Sequence, residues 1–155
     1  MASALVGISM FTIVSSATTN FLINSLTKTA DTVCCSMKRI AVINHPSIVE
    51  IRDKLVTMDL LFFINIIQKL VEQHIDKEAS LALKEALYGV NEILENINTE
   101  LSTIMDAIDN HGKKYFSQWR YFNCDCNIDI IIGHEKILKK RYEILIDLLQ
   151  IELHK

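Results

Sequence analysis

Four cysteines, five histidines and one aromatic, cationic stretch hold most of the chemistry available to this 155-residue chain. The cysteines stand as Cys34-Cys35 and Cys124-x-Cys126. Structural zinc wants cysteine pairs two to four residues apart, so that the chain can turn around the metal. Adjacent cysteines on a helix cannot aim both sulfurs at one ion without strain. Cys124 and Cys126 would need His111 or His134 to complete a set. No metal and no other cofactor is therefore expected, and the thiols should stay free in a reducing compartment. Palmitoylation of Cys34 or Cys35, beside Lys38 and Arg39, is a rarer alternative. The histidines stand isolated. The sequence holds no glycine-rich phosphate loop, no nucleophile elbow and no His-Glu-x-x-His. Nor does it hold the Glu-x-x-His pairs of a di-iron bundle. The expectation is a protein that is not an enzyme.

The stretch Lys113-Lys114-Tyr115-Phe116-Ser117-Gln118-Trp119-Arg120-Tyr121-Phe122 contains the only tryptophan, set among three cations. Three uses compete for it. Aromatic side chains plug the end of a helical bundle by burial. Trp and Tyr with basic neighbours also suit a lipid headgroup interface. Stacking on single-stranded nucleic acid needs the same residue types. A formal charge of −3 and a pI near 5.9 disfavour that last use, so no nucleic-acid partner is expected. Lys136, Lys139, Lys140 and Arg141 form a second basic cluster, and Glu135 and Glu143 beside it make it read as a solvated, salt-bridged face.

The elements that must position these residues are helices. Half the residues are hydrophobic, yet there are four glycines and one proline. Folds with many turns need both residues, so long helices with few connections are expected. The opening stretch, MASALVGISMFTIVSSATTNFLINSLTK, has no ionisable side chain before Lys28. A secretory signal needs a basic start, which is missing. A spanning helix needs about 20 apolar residues, and the run Ala4 to Val14 is about half that length. Myristoylation needs glycine after methionine, where Ala2 stands. The stretch thus reads as a helix of small and apolar residues that packs against others or lies on a membrane surface. Val6, Ile8 and Phe11 are its candidate membrane contacts, and Lys38, Arg39, Lys113, Lys114, Trp119 and Arg120 are the others. Because small residues bury little area, this helix should open before the rest of the fold.

From Asp31 the spacing of Val33, Met37 and Ile40 carries the first helix to about Val42, where Asn44-His45-Pro46 breaks it. Ser47-Ile48-Val49-Glu50 matches a capping box. The second helix then runs to about His74, with Phe62, Phe63 and Ile66 at the bundle centre. Asp76 is the expected N-cap of the third. That helix carries Leu83, Leu87, Val90, Leu94, Ile97, Leu101, Ile104 and Ile108 in steps of three and four. It should stop at Asp109-Asn110-His111-Gly112 on a left-handed residue. The last helix starts near Asn127 or Asp129, with Ile137, Leu138, Leu145, Leu148, Leu149 and Ile151 inward. The sum is all-α: one domain over residues 1–155, a single antiparallel four-helix bundle with long helices.

A small-residue-rich apolar first helix and three further long helices, the last being Ile137-Leu138-Lys139-Lys140-Arg141-Tyr142-Glu143-Ile144-Leu145-Ile146-Asp147-Leu148-Leu149-Gln150-Ile151-Glu152 after a polar loop, together resemble the membrane-permeabilising HeLo-type bundles. These include fungal HeLo domains, related plant resistance-protein bundles and the N-terminal bundle of the mixed-lineage kinase-like pseudokinase. The resemblance implies a cytoplasmic module that self-associates, is recruited to acidic lipid membranes through bundle-surface cations, and acts in cell death. It also implies control by an attached domain, whereas these 155 residues read as the bundle alone. The alternative is a structural or adaptor bundle that binds protein and never membrane.

Overall fold

The computed structural model describes residues 18–75, 78–114, 116 and 120–155, and these are all-helical. Helix α1, Thr19–Ala41, is capped by Thr18, whose Oγ1 accepts from the Phe21 N–H at 3.2 Å. It buries Leu22, Leu26, Ala30, Val33, Met37 and Ile40, in steps of three and four. Lys38 and Arg39 fall in its last turn, where cations complement the helix dipole.

Helix α2, Pro46–Thr57, begins on the proline rather than after it. The expected capping box between Ser47 and Glu50 does not form. His45 is the N-cap, its Nδ1 accepting from the Ser47 N–H at 3.1 Å, and proline at the first helical position surrenders no needed donor. Ser47 Oγ instead accepts from the Phe122 N–H at 3.4 Å, tying a distant loop to this helix.

The expected single helix from Ser47 to His74 is two. After Met58, Asp59 takes φ 53°, in the left-handed region, and α3 (Leu60–His74) starts afresh. That kink re-aims the buried face onto Leu60, Ile64, Ile67 and Val71. Phe62 is therefore 61 % exposed and Ile66 lies on the surface too, not at the centre. Phe63 is partly buried, edge-on to Tyr142 at 4.9 Å.

Helix α4, Leu81–Gly112, follows its expected seam closely: Leu83, Leu87, Val90, Leu94, Ile97, Leu101 and Ile104 are buried, and Ile108 is partly so. Its N-cap is Ser80, whose Oγ accepts from the Leu83 N–H at 3.3 Å; Asp76, expected in that role, lies outside the described residues. The helix stops at Gly112 as expected, but Gly112 keeps a negative φ, so no left-handed stop is used. Helix α5, Asp125–Leu153, starts earlier than expected because Asn123 Oδ1 accepts from the Asp125 N–H at 2.6 Å and turns the chain into the helix. It buries Ile128, Ile131, Glu135, Leu138, Leu145 and Leu149. Glu135 is paired with Lys139. Ile137 and Ile151, expected inward, are exposed, since they lie well round the helix from the Leu138–Leu145 stripe that meets α4.

Cross-helix bonds fix the directions. Gln68 reaches Asp31 at 3.0 Å and Asn65 meets the Cys34 thiol at 3.8 Å, so α3 runs against α1. Thr19 accepts from the Ala79 N–H at 2.8 Å and Asn91 donates to Ser25 at 3.2 Å, so α4 runs with α1. Arg141 reaches Glu92 at 2.8 Å and Asn127 reaches Glu100 at 2.9 Å, so α5 runs against α4. Consecutive α3 and α4 bring no Cα atoms within 8 Å of each other among the described residues, so they sit diagonally, each packed on α1 and α5.

Candidate functional site

Those directions gather five chain segments at one end of the molecule: the last turn of α1, all of α2, the start of α3, the last turn of α4 with its following loop, and the start of α5. Three rings join them. His45, before α2, lies edge-on to His111 at 5.1 Å, and Phe122 packs against both, at 5.5 Å and 4.5 Å. Lys54 of α2 then bridges Glu50 and Asp125, each at 3.2 Å. That ammonium, with the Asn123 amide behind it, holds the Asp125 carboxyl below the usual carboxylate range. The same two carboxylates, Glu50 first, raise the Lys54 value.

Around this clasp lie the cations picked out in the sequence. Lys38 and Arg39 are exposed on α1, Lys113 and Lys114 are exposed just past α4, and Arg120 is exposed at the start of the returning loop. Among the described residues none of the five has an ion-pair partner, whereas Arg52 and Lys54 beside them do. Acidic residues share the end, Asp53, Asp59 and Asp109 among them. Val6, Ile8, Phe11 and Trp119 lie outside the described residues.

Residues that sequence reasoning missed stand between the cations. Val42 is 82 % exposed, and Val56, Phe62, Phe116 and Tyr121 are exposed as well. Met37, Ile40, Leu55, Val56, Leu61 and Phe62 line a groove of about 380 Å³ where α1, α2 and α3 meet, with Lys38 and Arg52 also on its wall. The only signal in the sequence was that α3 is apolar nearly all round, which reads as burial until the kink at Asp59 is known.

The cysteines divide by environment. Cys34 and Cys124 are buried, and burial pushes both thiols up; Cys35 and Cys126 are exposed. Among the described residues no three His, Cys, Asp or Glu side chains converge as a metal site, and no helix is long and apolar enough to cross a membrane.

No protein-family model, no curated protein and no solved structure matches this chain.

Proposed function

We propose that the protein is a non-catalytic helical module that self-associates and docks on acidic membrane surfaces end-on, as its resemblance to permeabilising HeLo-type bundles implies. In this reading α1, the broken arm α2–α3, α4 and α5 act as a four-helix bundle, and the chain works in the cytoplasm until recruited to a membrane. One observation carries the proposal. Lys38, Arg39, Lys113, Lys114 and Arg120, the first two separated in sequence from the rest by three whole helices, stand without ion-pair partners among the described residues, at one end beside exposed Val42, Phe62, Phe116 and Tyr121. Cations beside apolar and aromatic side chains match a headgroup layer, where anionic lipids meet the charge and acyl chains meet the rings.

Flotation of the full chain with vesicles tests this. Binding should require phosphatidylserine and should fall as salt is raised from 0.05 to 0.5 M, since exposed charges are screened over about 10 Å at 0.1 M. Equal binding to neutral phosphatidylcholine vesicles at both salt concentrations would remove the electrostatic basis. No binding to either vesicle would leave the adaptor reading.

A further inference from the structure

The surface of α5 away from its core seam carries four isoleucines at a spacing of seven residues: Ile130, Ile137, Ile144 and Ile151, exposed by 39, 42, 56 and 56 %. Seven residues are nearly two helical turns, so the four lie along one line about 32 Å long. A strict heptad line of β-branched side chains is the pattern by which one helix seats another. The helix already spends a different stripe, Ile128 through Leu149, on its own core.

Beside the line lies a groove of about 440 Å³ whose walls include Ala82, Ala86 and Gly89 of α4 and Ile144 and Leu148 of α5. Its floor is low because three of those residues are small. Gly89 in mid-helix weakens α4 relative to alanine. A Cβ there would meet nothing closer than Arg141 Cδ at 3.7 Å, so packing within the chain does not require glycine. Arg141 at the groove edge is neutralised by Glu92 at 2.8 Å.

We infer that this α4–α5 face binds a second copy of the chain, the two α5 helices pairing antiparallel about a two-fold axis through Ile144. Charge selects that arrangement. With the axis at Ile144, Ile137 meets the partner's Ile151 and Lys140 comes within about one residue's rise, 1.5 Å, of the level of the partner's Asp147, twice over. Lys140 and Asp147 are exposed and neither has an ion-pair partner within its own chain among the described residues. A parallel pair would instead set each beside its own copy. Area adds a constraint: the three isoleucines paired in this register, Ile137, Ile144 and Ile151, expose on the order of 300 Å² per chain, so two stripes alone fall short of the roughly 1,200 Å² of a specific interface, and the groove must close over the partner too. The inference supplies the surface for the self-association in the functional reading and rests on that reading only for there being any.

Sedimentation equilibrium of the full chain without lipid decides it. A monomer–dimer equilibrium is expected, weakened at least tenfold by Ile144→Glu with helical circular dichroism unchanged. Lys140→Asp and Asp147→Lys should each weaken it, and the double swap should restore it; that pair of variants also decides the matter if Ile144→Glu fails to fold. A chain monomeric at all concentrations, a dimer indifferent to Ile144→Glu, or a swap without restoration overturns the inference. A dimer that ignores acidic vesicles removes the membrane reading alone, and a monomer that binds them removes this one alone.

Discussion

Single side chains carry two expectations that simple chemistry can check. The thiolate is the reactive form of cysteine, and burial raises the Cys34 and Cys124 values above the ordinary thiol range. Iodoacetamide at pH 8 should therefore modify Cys35 and Cys126 quickly and the other two slowly, as read by peptide mass spectrometry; four equal rates would contradict the burial. The second expectation concerns Asp125. Its folded value lies below its unfolded one, near 4, because Lys54 favours the carboxylate. Such a group adds stability above the unfolded value, and that contribution is lost as pH falls through the folded one. Between pH 6 and 3, Asp125→Asn should lose less stability than the parent chain. Cysteine exposure was not legible in the sequence, because Cys34 and Cys35 are neighbours on one helix and only the position of α3, reaching Cys34 through Asn65, separates their fates.

At the scale of the helix, the kink at Asp59 decides most. A non-glycine residue in the left-handed region costs roughly 1–2 kcal/mol, less for aspartate than for alanine. Asp59→Gly should thus match or exceed the parent in urea unfolding, while Asp59→Ala should fall below it by about 1 kcal/mol. Because the kink turns Phe62 outward, Phe62→Ala should cost less than about 1 kcal/mol, against about 2–5 kcal/mol for Ile67→Ala in the core. Equal costs would place Phe62 inside and undo the break. The α4 seam was legible because Leu and Ile recur along it with no rival pattern. The break was not, since Lys54-Leu55-Val56-Thr57-Met58-Asp59-Leu60 holds neither glycine nor proline and its apolar steps run on through it. Pro46 misled differently: it stops α1, but as the first residue of α2 it also starts the next helix, which moved the cap to His45.

For the whole molecule, the candidate end depends on directions that no local pattern encodes. The residue types of Lys38, Arg39, Lys113, Lys114 and Arg120 pointed to a charged surface from the sequence alone. Their convergence follows from α4 running with α1, a direction that the bonds from Ala79 to Thr19 and from Asn91 to Ser25 set. Had α4 run against α1, the two pairs of cations would lie about 35 Å apart, the length of α1. Membrane affinity should then follow position rather than net charge. Each exposed cation near an anionic surface contributes about 1 kcal/mol, so Lys113→Ala with Lys114→Ala should weaken binding about 30-fold.

The most direct measurement compares two triple variants of equal net charge in flotation with phosphatidylserine-containing vesicles. Lys113→Ala/Lys114→Ala/Arg120→Ala strips the candidate end, while Lys28→Ala/Lys69→Ala/Lys136→Ala removes exposed cations from the middles of α1, α3 and α5. End-on docking predicts that the first loses binding by about 100-fold or more while the second stays close to the parent chain. Equal losses in both, or none in either, would contradict it.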